Sequence, residues 1–256
     1  MTVASRTIST LAAGWTQATL TSAISTALSN AGFTGITQYS VSGINYLAMA
    51  FSSGVGANST TQYRVQITPA FAVSHQLFST LNTSNNSGTN GSGEQASTTF
   101  LASQPITFHA LNAFPEYRAV LMVQGAVAIL LGVLNPQNRL DVWSLESWNH
   151  AFIFSSVSAI VSTSLNPFGN TAYTPKPLGD SNLASPATAF NASTIDAGLR
   201  IYTNSNQGCW TQTSSDIGAA PTASRVRGDT FTPANTTEIY LVAGVGNGGL
   251  VLKVTS

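Results

Sequence analysis

One stretch of the chain has the hydrophobic spacing of an amphipathic helix. From Gln17 to Ala31, apolar residues recur at steps of three and four positions, which places them on one side of a helix. Thr16 stands at the N-cap position, and Gly32 stands where a left-handed residue ends a helix. The pattern therefore predicts an N-terminal helical segment within residues 1–35.

After this segment the spacing changes to the period of two that is typical of strands with one buried face. Apolar and polar residues alternate, and turn residues separate the alternating runs. We therefore expect a mainly β fold, an antiparallel β-sandwich or jelly-roll-like architecture, with one N-terminal amphipathic helix and long loops. The segments with this alternation are 39–41, 46–51 and 63–67.

The centre and the C-terminal part of the chain carry the strongest strand signals. The runs Tyr117–Gln124 and Ala126–Leu134 are almost wholly apolar, which predicts two core strands. Near the C-terminus, a glycine-rich connection that contains Asn-Gly joins the alternating runs 238–243 and 250–255. Such a connection predicts a terminal hairpin.

Two segments are expected to be irregular. Ser79–Thr99 is so rich in Ser, Thr, Asn and Gly that it buries little apolar surface, and it is therefore predicted to be a long exposed loop or arm. Recurring Pro and Gly residues in 166–189 indicate a crossing segment or linker. Because neither segment demands a domain boundary, the expectation is one β-rich domain over residues 1–256.

Composition changes the picture of the surface. Only 7% of the residues are charged while 43% are hydrophobic, whereas about a quarter of an ordinary soluble domain is charged. A surface with few charges favours a protein whose exterior is covered by neighbouring subunits or exposed outside the cell. Nine basic and nine acidic residues, without a basic run, make nucleic acid an unexpected partner.

The helix leaves two packing alternatives open. Its apolar stripe can pack on the protein's own sheet, while its polar face, made of Thr, Ser, Gln and Asn, can pack against another chain. The residues taken as the candidate interface are Trp15, Leu20, Ile24 and Leu28, and the segment 79–99 and the terminal hairpin are the further interface candidates.

Candidate chemistry is sparse. Cys209 is the single cysteine, which excludes an intrachain disulfide and a multi-cysteine metal site. His75, His109 and His150 lie far apart and form no metal-binding motif, and the sequence holds neither a nucleophile elbow nor a phosphate-binding loop. The apolar stretch 119–134 is too short to span a membrane. We therefore expect no cofactor, no metal, no membrane span and no enzymatic activity.

The aromatic residues offer a second kind of function. Asp141 and Glu146 flank Trp143, but along an extended strand the two carboxyl groups would be roughly 16 Å apart, which is too far for glycoside hydrolysis. If Trp143, Trp148 and Tyr173 are exposed, they instead predict a glycan-contacting surface. A receptor- or glycan-binding module is therefore the alternative function.

Taken whole, the chain resembles the virion structural proteins of tailed bacteriophages, including those that infect cyanobacteria. The resemblance lies in the low charge, the Ser79–Thr99 segment and the closing stretch from Arg227 to Val254. That stretch opens with Arg227-Gly228-Asp229, an adhesion tripeptide that a turn before the last strands also explains.

This resemblance implies a non-catalytic structural subunit of a tail, baseplate, fibre or neck, or a capsid-associated protein. Its partners would be copies of itself and other virion subunits, with a host-surface glycan as a further partner. Its location would be the virion, assembled in the host cytoplasm and then exposed to the medium. The resemblance assigns no residue a role.

Overall fold

The computed structural model describes one helix, α1, and the strands of several antiparallel sheets. The described residues are 3–52, 60–89, 91–92, 94–114, 116–135, 152–155, 159–162, 172–173, 175–176, 195–198, 200–202, 209–212, 214–220, 222–246 and 249–255. The helix spans Gln17–Asn30. The strands are β1 Ser5–Leu11, β2 Thr37–Val41, β3 Ile44–Ser52, β4 Thr60–Ile67, β5 Ala72–Phe78, β6 Thr80–Asn82, β7 Ser87–Thr89, β8 Gln95–Thr99, β9 Ile106–Ala113, β10 Tyr117–Gln124, β11 Val127–Leu134, β12 Phe152–Ser155, β13 Ala159–Ser162, β14 Ala172–Tyr173, β15 Pro175–Lys176, β16 Asp196–Ala197, β17 Arg200–Tyr202, β18 Cys209–Gln212, β19 Ile217–Ala220, β20 Thr230–Phe231, β21 Ile239–Val242 and β22 Gly249–Val254.

The helix is capped as its sequence predicts. The backbone N–H of Thr19 donates to Thr16 Oγ1, and the backbone N–H of Thr16 donates to Thr19 Oγ1 at 2.8 Å, so two otherwise free donors are satisfied. Gly32 follows the helix with a φ of +87°. The N-terminal segment is not wholly helical, however, because β1 precedes α1.

Three sheets stack as layers. The central sheet has the strand order β1-β9-β10-β11-β12-β13-β14, the front sheet the order β2-β3-β4-β5-β8, and the back sheet the order β16-β19-β22-β21-β20. Two smaller groups, β15-β17-β18 and β6-β7, complete the described strands. The expected mainly β, antiparallel, sandwich-like fold with one helix is confirmed.

The strands β9, β10 and β11 of the central sheet are buried on both faces because each face packs against another layer. On one face, residues such as Phe108 and Val120 join α1 and the front sheet in one apolar core. On the other face, residues such as Leu121 and Leu130 form a second core with the back sheet. This double burial explains why the sequence of β10 and β11 is almost wholly apolar.

The strongest strand predictions are confirmed. β10 and β11 pair in unbroken antiparallel register from Tyr117↔Leu134 to Gln124↔Val127. The terminal hairpin pairs β21 with β22, from Ile239↔Val254 to Val242↔Val251.

The prediction that Ser79–Thr99 is a loop is wrong, although the exposure expected for its first part is confirmed. Its first part forms the β6–β7 hairpin, and its last part is β8, the edge strand of the front sheet. Composition suggested disorder because it could not reveal the tertiary partners of this segment. Gly88 packs on the ring of Phe78, and Asn86 Oδ1 accepts hydrogen bonds from Tyr39 Oη and Arg64 Nη1, both at 2.8 Å.

The expected crossing segment 166–189 lies mostly outside the described residues. Within it the structure describes β14, which pairs with β13, and β15, which pairs with β17.

Candidate interaction surfaces

The four residues expected to form an interface on the helix side are buried in the protein's own core. Trp15 is 5% exposed, and Leu20, Ile24 and Leu28 are completely buried. Trp15 also donates from Nε1 to the carbonyl of Gln104 at 2.9 Å. These side chains are therefore not available to a second chain, because the helix packs its apolar stripe between the central and front sheets.

The polar face of α1 is exposed, and two of its hydroxyl groups bond back to the helix. Ser22 Oγ donates to the carbonyl of Ala18, and Thr26 Oγ1 donates to the carbonyl of Ser22. A hydroxyl that bonds back to its own helix offers a partner no free donor. These two hydroxyl groups therefore add little to the recognition of a neighbour, and the packing of this face against another chain stays a prediction.

The candidate glycan contacts cannot be placed together. Trp143 and Trp148, with Asp141 and Glu146, lie outside the described residues. Tyr173 lies on β14 opposite Ile160, and its side chain is outside the description. The glycan-binding surface therefore stays a prediction.

The structure reveals a surface that the sequence analysis missed, the outer edge of β1. Within the described residues β1 pairs with β9 alone, from Ser5↔Asn112 to Leu11↔Ile106 without a bulge. Five of its seven residues are exposed, and the side chain of Ile8 is 54% exposed. An unbroken exposed edge presents backbone donors and acceptors to any strand that approaches it.

The one charged residue of β1 is turned away from this edge. Arg6 Nη2 lies 3.1 Å from His109 Nδ1 on β9. Because a guanidinium can only donate, Nδ1 accepts and the imidazole is neutral with its proton on Nε2. Burial, and next the positive charge of Arg6, lower the pKa of His109 to about 4, and burial also lowers the pKa of Arg6.

The other sheet edges in the described part of the chain are shorter or irregular. β2 has five residues, while β14, β16 and β20 have two each. The pairing of β8 with β5 shifts register between Val73 and His75, and β8 approaches β11 and β12 of the central sheet. The register shift of β8 and its contact with the central sheet both disfavour pairing with another chain. β1 is therefore the longest regular edge.

A surface cavity of about 350 Å³ lies beside the β10–β11 turn, and the adhesion tripeptide contributes to its wall. Arg227 Nη1 donates to the carbonyl of Ala126 at 2.7 Å, and the N–H of Gly228 donates to the carbonyl of Val242. The tripeptide is thus built into a turn, as its position before the last strands suggests. The cavity is lined by Gly125, Ala126, Arg225, Val226, Arg227 and Val245.

The most unusual acid in the described part of the chain is Asp216. It is 2% exposed, its Oδ2 is buried without a hydrogen-bond partner among the described residues, and burial raises its pKa. Its backbone is fixed: the N–H of Asp216 donates to Ser214 Oγ at 3.2 Å, and the carbonyl accepts from the N–H of Lys253 at 2.7 Å. These contacts anchor the turn before β19 to β22, which is a structural role.

Among the described residues, no group of three or more His, Cys, Asp or Glu side chains is placed to hold a metal ion. In the same part of the chain, no helix combines the length and the apolar character needed to cross a membrane.

Comparison with known proteins adds no relative. No family model matches the chain, and no curated protein matches it at a significant level.

Proposed function

We propose that this protein is a structural subunit of a bacteriophage virion, a component of the tail, baseplate, fibre or neck or a capsid-associated protein, that acts by protein–protein assembly. The observation that carries the proposal is the outer edge of β1. It is regular and exposed, and its only charge is directed at His109.

The physical reason is that monomeric proteins protect such edges. Lysines, prolines, bulges or a covering segment normally block the pairing of an exposed edge with another chain. β1 contains no proline, no lysine and no bulge, and the whole chain is only 7% charged. An edge left in this state fits a protein whose neighbours cover it.

We assign the subunit to a virion because its sequence resembles the virion structural proteins described above. Interfaces between subunits lose charged residues at their centres, and copies of one chain associate through closed symmetry. The proposed partners are copies of this chain and other virion subunits, and the proposed location is the virion. A host-surface glycan is the proposed ligand if the region of Trp143 and Trp148 is exposed.

The mass of the purified protein in solution tests the proposal. Multi-angle light scattering should give a multiple of the 26.6 kDa chain mass, and electron microscopy should show rings, tubes or other closed particles. A protein that stays monomeric at high concentration would contradict assembly. Glycan-array binding by such a monomer, lost in a Trp143→Ala, Trp148→Ala double variant, would favour the binding module instead.

A further inference from the structure

The backbone of β1 shows which of its groups point outward. Ala4 immediately precedes the β1–β9 ladder, and its carbonyl accepts a hydrogen bond from the N–H of Thr255 at 2.9 Å, beside an isolated parallel bridge to Val254. Backbone groups of successive strand residues point to opposite sides. The N–H and C=O groups of Arg6, Ile8 and Thr10 therefore point in the same direction as those of Ala4, away from β9.

The end of β22 also limits the length of this edge. Because Thr255 occupies the outer side of β1 at Ala4, another strand can pair only beyond that residue. At the other end the chain leaves the strand after Leu11 and turns at Gly14, whose φ is +88°. The available edge is thus centred on Ile8, with one outward-facing residue on each side of it.

We infer that two copies of this chain pair through β1, antiparallel and related by a two-fold axis at Ile8. The inference rests on the proposed function, because it names the partner and the surface of the first step of assembly. In this register all outward-facing groups find partners: Ile8 pairs with its own copy, and Arg6 pairs with Thr10 of the second copy on both sides of the axis. The pairing joins two seven-stranded central sheets into one continuous sheet.

The charges and side chains of β1 suit this arrangement. Like charges directly opposite each other destabilise paired strands, and the register places each Arg6 opposite a neutral Thr10. The two Ile8 side chains, each 54% exposed in the single chain, meet across the axis and cover each other. A register shifted by two residues loses one of the three outward-facing pairs, so the centred register satisfies the most backbone groups.

A cysteine at the axis tests the geometry directly. Hydrogen-bonded antiparallel residues have Cα atoms about 5.5 Å apart, which lies within the range that a disulfide bridges. In a Cys209→Ser background, the Ile8→Cys variant should form a covalent dimer under mild oxidation, seen on a non-reducing gel. The matched control is Gln38→Cys in the same background, since Gln38 is an exposed residue of the uncharged edge strand β2.

A lysine at the axis tests the energetics. Ile8→Lys places two like charges opposite each other and removes the isoleucine contact, so it should weaken the pairing about tenfold or more. Gln38→Lys adds the same charge to β2 and should leave the pairing constant unchanged. Sedimentation velocity over a concentration series measures both variants against the wild type.

The outcomes separate this inference from the proposed function. Selective crosslinking of Ile8→Cys together with weakened pairing in Ile8→Lys supports the β1 pair. Oligomers that form normally in Ile8→Lys, or crosslinking that is equal in Ile8→Cys and Gln38→Cys, would overturn the β1 pair and leave assembly through another surface standing. A wild-type protein that is monomeric throughout would overturn both.

Discussion

A single row of paired residues crosses the central sheet from an exposed strand to buried strands. Ile8 on β1 pairs with His109 on β9, which pairs with Leu121 on β10, which pairs with Leu130 on β11. The exposed fractions are 54%, 5%, 0% and 0% along this row. The residues on β10 and β11 are therefore buried by the rest of the chain, whereas the residue on β1 is more than half exposed.

This difference separates folding from assembly within one sheet. At β10, both strand edges and both faces are occupied by residues of the same chain, while β11 pairs with β10 along its whole length and with β12 at Val133 and Leu134. At β1, the outer edge is unpaired beyond Ala4 among the described residues, and residues on both faces of the strand are exposed. Substitutions should therefore change the free energy of unfolding less and less from β11 toward β1, while their effect on association should grow.

The largest loss of stability is expected at Gly132 on β11. Its φ is +148°, and a Cβ there would collide with the carbonyl oxygen of Arg118 and lie 2.7 Å from Ala119 Cα. Because both neighbours are backbone atoms of β10, they cannot move aside. Gly132→Ala should lower the free energy of unfolding by about 4 kcal/mol or more, measured by chemical denaturation with circular dichroism.

The control for this substitution is Gly125→Ala in the β10–β11 turn. Gly125 has a φ of +56°, but its nearest neighbour would be Gln104 Oε1 at 4.0 Å from the new Cβ. Only the left-handed conformation then matters, which costs about 1–2 kcal/mol. Equal losses in the two variants would show that the close approach of β10 and β11 is not what requires Gly132.

A smaller loss of stability is expected when the side chain of Leu121 is shortened to that of alanine. This side chain is completely buried between the central and back sheets. Leu121→Ala removes buried methyl groups and leaves a cavity, so it should lower the free energy of unfolding by about 2–5 kcal/mol. Thermal and denaturant unfolding measure the effect, and a loss below 1 kcal/mol would contradict the tight packing between these two layers.

The next residue in the row should make stability depend on pH. Burial, with a contribution from Arg6, lowers the pKa of His109 from 6.5 to about 4, so the unfolded chain binds a proton in this range while the folded protein does not. The free energy of unfolding should therefore fall as the pH is lowered from about 6.5 to about 4. His75, which donates to or accepts from Tyr63 Oη at 2.8 Å, should add to this slope because burial lowers its pKa to about 4 as well.

His109→Gln isolates the contribution of this position. The variant lacks the titrating group beside Arg6 and keeps His75, so its melting temperature should decline less steeply between pH 6.5 and pH 4 than that of the wild type. Identical slopes in the two proteins would contradict the lowered pKa of His109. The comparison is made at one ionic strength, because the Arg6 charge is partly exposed to screening.

Local sequence signals predicted the helix, the buried strands β10 and β11 and the terminal hairpin, and they missed the exposed strand β1. The cap at Thr16, the apolar runs of β10 and β11 and the terminal hairpin all depend on neighbours in sequence. β1 was missed because both of its faces carry exposed residues, so its Ser, Thr and Arg residues do not alternate with buried apolar ones. The β6–β7 hairpin within Ser79–Thr99 was missed because Arg64, which lies between the rings of Tyr46 and Phe78, anchors its turn by donating to Asn86.

The helix was predicted from the sequence, but the surface on which it packs was not. Its ends and apolar stripe followed from sequence, but the choice between packing on its own sheets and packing on a second chain did not. Only the third dimension shows that Leu20, Ile24 and Leu28 fill the space between the central and front sheets. A stripe of apolar residues predicts that one side of the helix is buried, but it does not identify the surface that covers that side.

The smallest effect on folding is expected at the open end of the row. Ile8→Ala removes a side chain that is 54% exposed in the single chain, so in dilute solution it should change the free energy of unfolding by less than about 0.5 kcal/mol. The same deletion removes the contact across the axis of the proposed pair, so it should weaken association at high concentration. Unfolding curves at low and high protein concentration measure both effects, and a large loss in the dilute sample would mean that Ile8 belongs to the core.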